Sequence, residues 1–289
     1  MSYYLDCLSC VVQQAREAVR HAGLEEALQV RVMRRVLDVL AEVDGAATSS
    51  DLIQKAFGVI REEGGVRDPL ENVKSYCLDV ALRAYPELKH TLDESERRFD
   101  TAVRIAMAGN IIDHHMRESG RFDNLALFRS IEAALNRPLA VDHVALLERA
   151  VSAAEKILYL SDNAGETVCD RILLEEMPLK RITYAVKSVP VTMDATLRDA
   201  SMAGLTERVK VVEVQTDHPC MDPDRCSDAF RRLFEEADLV IAKGQGNMRA
   251  LKGSDKNIFF LARVRCKVKA REFRVSVGDF IVKSNRVPD

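Results

Sequence analysis

An aspartate and an asparagine stand side by side at Asp162-Asn163, and a further carboxylate, Asp194, follows about one strand-and-helix unit later. Hard oxygen donors of this kind suit a divalent ion such as Mg²⁺, Mn²⁺, Ni²⁺ or Co²⁺. The residues after them, Ala164-Gly165-Glu166, read as the start of a helix, whose free N–H groups favour an anion such as phosphate. The ordinary alternative is a helix cap, for which Asp and Asn are usual residues. A second stretch, Lys243-Gly244-Gln245-Gly246-Asn247, joins a lysine to two glycines. The glycines let backbone N–H groups turn inward around an anion, and the lysine adds a point charge for a phosphoryl group. Glycine also simply ends strands. The order is not that of a P-loop, since the lysine precedes the glycines and no Lys-Ser/Thr follows them. A divalent ion and a cation around an anionic oxygen are the equipment of phosphoryl transfer. Asp199, five residues beyond Asp194, is either a supporting carboxylate or a solvated helix charge.

These groups must be positioned by strands. Short apolar runs at Lys156–Ser161, Lys180–Lys187, Val209–Val214 and Ala237–Lys243 alternate with helical stretches, and last strands are expected at Val264–Lys269 and Phe280–Lys283. Strands alternating with helices imply a largely parallel sheet. In such sheets ligands bind beyond the carboxyl ends of the strands, where Asp162, Asp194 and Lys243 stand. No G-x-G-x-x-G follows the first strand, which argues against a dinucleotide fold. The first 150 residues read instead as helices: Gln13–Val43, a helix capped by Ser50 from about Asp51, then Val73–Tyr85, Ser95–His115 and Leu125–Leu135. The expected organisation is a helical N-terminal domain (1–150) and an α/β metal- and phosphate-binding domain (151–289).

Composition narrows the class. The 289 residues carry 42 Lys+Arg against 45 Asp+Glu, a formal charge of −3, which gives no basic face for nucleic acid and no polybasic membrane patch. Hydrophobic residues make up 47% and charged residues 30%, enough for a core in a chain that stays soluble. No run is long enough to span a membrane, and the first ten residues do not read as a secretory signal. With seven cysteines, the expectation is reduced thiols in the cytoplasm rather than a disulfide framework.

Other candidates have two readings. Asn110 and Asp113 are three apart on an expected helix and share a face; they reach over the sheet edge into the site or form a buried polar clamp between the helical part and the sheet. His114 and His115 are consecutive and point apart, so they do not form the i, i+4 pair of a zincin helix. Cys7-Leu8-Ser9-Cys10 has the spacing of a zinc half-site or redox pair, with Cys220 and Cys226 as conceivable partners, or of reduced thiols.

These motifs, in their order, resemble a known family. Asp162-Asn163-Ala164-Gly165-Glu166, Pro190 with Asp194-Ala195-Thr196 and Asp199, and Lys243-Gly244-Gln245-Gly246-Asn247 are similar to signature stretches of the domain of unknown function 89 family, associated with metal-dependent damage-control phosphatases. Asp68-Pro69 with Lys74, Ala108-Gly109-Asn110 with Asp113, and Phe259-Phe260-Leu261 with Cys266 fall in the matching order, and Cys7/Cys10 resemble the archaeal and bacterial subgroup. Met193, where relatives often carry Asn, and His114-His115 depart from the pattern. The resemblance implies a helical part packed on a three-layer α/β/α sandwich. It also implies a divalent ion on Asp162, Asn163 and Asp194, and a phosphate near Lys243. Hydrolysis of small phosphomonoesters, such as sugar phosphates or phosphopantetheine-like compounds, is the implied reaction. The catalytic residues would be Asp162 and Lys243, with Gly165, Glu166 and the 244–247 turn holding phosphate, and with water or the Asp162 carboxylate as attacking group. A carboxyl methyltransferase using S-adenosylmethionine, and a non-catalytic metal- or metabolite-binding regulator, are the rival readings. Neither the physiological substrate nor the oligomeric state is legible in these residues.

Overall fold

The computed structural model describes residues 2–44, 47–111 and 124–287; Asp113, His114 and His115 lie outside them. The first half is helical: α1 (Ser2–His21), α2 (Glu26–Ala41), α3 (Ser49–Gly64), α4 (Glu71–Asp93), α5 (Arg98–Ala108) and α6 (Asn124–Asn136). The single helix expected over 13–43 is two, because Gly23 takes φ 71° and turns the chain between α1 and α2. α3 is capped by Thr48, not Ser50: the Thr48 hydroxyl takes the Asp51 N–H, and the Asp51 carboxylate takes the Thr48 N–H. That reciprocal pair satisfies two of the donors a helix start leaves open.

The sheet follows, with β1 (Val141–Asp142), β2 (Ile157–Leu160), β3 (Ile182–Lys187), β4 (Lys210–Val214), β5 (Leu239–Lys243), β6 (Ile258–Arg263) and β7 (Phe280–Ser284). The order is β1-β7-β6-β5-β2-β3-β4, and every described pairing is parallel except β6 with β7. Between the strands run α7 (Val144–Ala153), α8 (Glu166–Leu174), α9 (Leu197–Met202), α10 (Asp228–Glu236), α11 (Gly244–Leu251) and α12 (Lys267–Phe273). The strand expected at Val264–Lys269 is wrong. The strand is the apolar run Ile258–Arg263, and 267–273 is a helix whose Val268 and Ala270 are buried. β1 falls inside the stretch read as wholly helical. Two residues carry no periodicity to announce a strand.

Alternation along the strands sends successive side chains to opposite faces. Ile157, Tyr159, Tyr184, Val186, Ile241 and Leu261 join a core that runs back through the N-terminal helices to Val11. Leu158, Leu160, Ala185, Val240, Ala242 and Phe260 join a second core shared with Phe230 and Phe234 of α10, Met248 of α11 and Ala270 of α12. The result is a three-layer α/β/α sandwich. Among the described residues no helix is long and apolar enough to cross a membrane.

Candidate active site

Inside the sheet β2 lies between β3 and β5, both parallel to it, so the carboxyl ends of these three strands converge. The chain leaves β2 through Ser161, whose N–H still bonds Ala185 O at 3.1 Å. It is then met by the segment that follows β3. The Ala195 N–H donates to Asp162 O at 3.0 Å, the Ala164 N–H to Met193 O at 2.8 Å, and Asn163 pairs with Asp194 in an antiparallel bridge. Backbone bonds therefore lock Asp162, Asn163 and Asp194 together, as the sequence anticipates. Asp194 is buried, and its Oδ2 accepts the Val191 N–H at 3.0 Å.

β5 delivers its end to the same place. Gly244 begins α11 at φ 81°, and a Cβ there would lie 2.2 Å from Asp162 Oδ2. Only glycine permits this approach, which brings the open N–H end of α11 onto the Asp162 carboxylate. The same Oδ2 is within 3.2 Å of Asn163 Nδ2, 3.3 Å of Asn110 Nδ2 and 3.4 Å of a terminal nitrogen of Arg265. The Asn110 amide carbonyl is buried without a partner, and so is Arg265 Nε.

Lys243 is placed otherwise than expected. Its ammonium donates to Glu166 Oε2 at 2.9 Å, Asp170 Oδ1 at 2.5 Å and Ala106 O at 2.9 Å, with the side chain 1% exposed. An ammonium has three donors, and all three are spent on protein. Lys243 therefore holds carboxylates beneath the site rather than reaching an anion in it. Glu166 is spent in the same way: its other oxygen accepts Asn110 Nδ2 at 2.5 Å and Asn163 Nδ2 at 2.6 Å. It orients the Asn163 amide, and its charge would repel a phosphate. Gly165 is the N-cap of α8 and makes no side-chain cap bond. Asn247 donates to Ser161 O at 3.1 Å and Lys243 O at 3.0 Å and accepts the Met221 N–H at 2.9 Å, tying strand ends together instead of binding a ligand. Gln245 accepts the Arg265 backbone N–H at 3.4 Å. Of the expected anion cradle, Gly244 lies against the Asp162 carboxylate.

Asp199 caps α9 through Thr196 and lies 3.3 Å from the buried Lys74 ammonium, which also pairs with Asp68 at 2.6 Å. This cluster borders a cavity of about 410 Å³ between α4 and the β3–β4 ends, which Ser188, Pro190 and Arg198 also line. Cys220 and Cys226 are not the partners of Cys7. Cys220 meets Ser50 at 3.4 Å, and the cysteines whose charge bears on the Cys7 thiol are Cys266 and Cys10.

Sequence reasoning passed over Asp170, Lys187 and Arg265. Asp170 stands four residues after Glu166, so both face Lys243 from one side of α8; that spacing was its available signal. The hydroxyls of Tyr159 and Tyr184, whose rings stack at 5.2 Å, donate to its two oxygens at 2.8 Å each. Lys187, buried at the end of β3, donates to His218 O.

Charge explains the electrostatics. Burial, then the Glu166 charge, pushes the Asp162 carboxyl up to about 7, with Arg265 opposing. Burial also raises Asp194, against the pull of Lys187. Burial opposes ionisation of Lys243, yet Asp170 and Glu166 hold its ammonium above the ordinary range. The centre thus carries more carboxylate than cation to match it.

Comparison with known proteins identifies the family of the chain. A profile of the damage-control phosphatase ARMT1-like domain matches residues 3–281. An uncharacterized protein of Methanocaldococcus jannaschii is 32% identical over 96% of this chain and 93% of its own length. A damage-control phosphatase of Pyrococcus horikoshii is 31% identical over 99% of both chains. The crystal structure of a domain of unknown function 89 protein from Pyrococcus horikoshii superposes with a TM-score of 0.87 at 30% identity, covering 97% of this chain and 98% of that one. With its backbone-locked Asp162, Asn163 and Asp194 set at the meeting of three parallel strands, the chain belongs to the damage-control phosphatase ARMT1-like family, the domain of unknown function 89.

Proposed function

We propose that the chain is a divalent-metal-dependent phosphatase of small phosphomonoester metabolites, sugar phosphates or phosphopantetheine-like compounds, with a house-cleaning role. The observation that carries this reading is the convergence of Asp162, Asn163 and Asp194 with the Gly244 end of α11 and Arg265. Relatives named damage-control phosphatases support it. The residues fit a hard cation. Their donors are oxygens, Asn110 has an unpartnered buried carbonyl, and burial and carboxylate crowding leave Asp162 short of positive charge. Among the described residues no three His, Cys, Asp or Glu side chains form a metal cluster; the proposed set draws on an asparagine instead.

When bound, the ion neutralises phosphoryl oxygens as a Lewis acid. The chain's own residues do the rest. Arg265, always charged and with an Nε–H that has no protein acceptor, binds and orients the phosphoryl group. The first N–H groups of α11 add fixed positive poles that need no reorganisation as charge develops. Glu166, held by Lys243, turns the Asn163 amide nitrogen inward and leaves its oxygen for the ion.

The test is release of p-nitrophenol from p-nitrophenyl phosphate by metal-stripped protein, alone and with Mn²⁺, Ni²⁺, Co²⁺ or Mg²⁺, followed by a panel of sugar phosphates. Hydrolysis only with an added ion is expected, and Asp162→Ala is expected to lower it by about 10²-fold or more. No hydrolysis with any ion and any phosphomonoester, or full activity of Asp162→Ala at saturating metal, would overturn the proposal.

A further inference from the structure

Residues 263–274 gather six cations, Arg263, Arg265, Lys267, Lys269, Arg271 and Arg274, around one carboxylate, Glu272, in a chain whose formal charge is −3. The proposed catalysis uses Arg265 alone of these. Four of the others stand on α12 or directly after it. The end of that helix lines a cavity of about 440 Å³, a volume suited to a small organic molecule.

Strand register gives the cavity an apolar floor. Val141 lies beside Ile281 across β1 and β7, and Lys283 beside Phe260 across β7 and β6. Ile281 and Lys283 are two apart on β7, so all four side chains leave the same face of the sheet. Met248 of α11 and Phe273 of α12 add an apolar wall. Lys269 lies over the Phe273 ring, its ammonium 5.6 Å from the centroid.

The rim is positively charged. Glu272, the one carboxylate among the described residues that line the cavity, accepts Lys252 at 3.0 Å and Lys269 at 3.1 Å. Its charge is thus matched within the protein. Arg274 and Lys283 bring two further cations to the lining. Burial pushes the Lys283 ammonium down from its ordinary value, and an anion beside it would raise it again. Arg274 stands in the left-handed region at φ 55°, the one non-glycine residue to do so among those described. Glycine is the usual residue at such a helix end; an arginine there strains the backbone and brings a cation to the cavity instead.

We propose that this cavity binds a small organic anion with an apolar body, the body against Phe260, Ile281 and Phe273 and the anionic group against Lys283 and Arg274. The site is separate from the catalytic centre: Gly244, which meets Asp162, and Lys252, which lines the cavity, stand at opposite ends of α11, roughly 12 Å apart along the helix. Binding there requires no metal and no phosphatase activity.

The experiment titrates metal-free, full-length protein with 8-anilinonaphthalene-1-sulfonate, an anion with an apolar body whose fluorescence rises out of water. One saturable site is expected, displaced by octanoate but not by octylamine or inorganic phosphate. Arg274→Gly is the decisive variant. Glycine relieves the left-handed backbone, so thermal unfolding followed by circular dichroism should show a fold kept or stabilised. Affinity for the probe should nevertheless fall about tenfold. Lys283→Glu should weaken it at least as much, while Arg34→Glu, on the exposed face of α2, should leave it unchanged. Fluorescence that does not saturate, equal affinity in the parent and Arg274→Gly, or displacement by octylamine as readily as by octanoate would overturn the proposal.

Discussion

Lys243 illustrates what a residue's type tells and what its surroundings decide. A lysine at a strand end beside two glycines reads as a phosphate contact, but the fold sets Lys243 beneath the site. Its donors are all bound to Glu166, Asp170 and Ala106. Nothing local in the sequence announces this, because Asp170 and Ala106 come from other elements. Replacing Lys243 with Met should therefore destabilise the fold by about 3–5 kcal/mol, the usual consequence of leaving buried carboxylates unpaired, as measured by urea denaturation near neutral pH. Lys243→Arg should recover little of it, since a planar fork does not supply three bonds in that geometry. A Met variant as stable as the parent would refute the ion-pair role. Gly244 makes the complementary case. Gly244→Ala places a methyl within 2.2 Å of Asp162 Oδ2 and strains φ 81°, so metal-dependent turnover should fall by about 10²-fold or more. Unchanged kinetics would show that the α11 end does not need to touch Asp162.

Elements were more legible than contacts. The β2, β3, β4 and β5 runs are apolar and bounded by turn residues, and each forms a strand where expected. The failure at 264–269 has a local reason. Arg263-Val264-Arg265-Cys266-Lys267-Val268-Lys269 alternates basic and apolar residues like a strand, but it is too short for its period to exclude a helix, and packing against the second core decides. Between elements, Glu175 at the end of α8 accepts Tyr85 and Lys89 of α4, Arg171 and Arg208. Burial opposes its charge, but Arg171, Tyr85 and Lys89 together hold the carboxyl down at about 2, against an ordinary 4.5. Because the folded value is the lower one, the contribution is complete above about 4.5 and disappears as pH falls toward 2. Glu175→Gln should cost about 2 kcal/mol at pH 7 after allowing for partial exposure, and the gap to the parent should close between those limits. A gap independent of pH would assign the loss to packing.

At the scale of the molecule, the core that begins at Val11 continues through α2–α5 into Tyr159, Tyr184 and Phe259 of the sheet. The helices and the sheet thus share one apolar interior, which no boundary drawn near residue 150 separates. Thermal unfolding followed by far-UV circular dichroism and by tyrosine fluorescence should accordingly give one coincident transition. Two separated transitions would show that the halves are stable independently. The class of this architecture was readable from alternating strands and helices, but the strand order was not, since periodicity carries no information about which strands become neighbours.

That order has a consequence for how the protein comes into being. Among the described residues the edge strand β1 pairs with β7 alone, with Val141 beside Ile281. Ala106 O waits for Lys243, and Asp162 waits for Arg265. A chain emerging from the ribosome therefore displays its helical half long before the partners that cover it exist, and the site and the β1 edge are completed only as the last strands arrive. Non-local pairing of this kind slows folding and prolongs exposure of apolar surface. Nascent chains arrested before residue 265 would be half-dressed proteins, dependent on holding factors and without a finished catalytic centre.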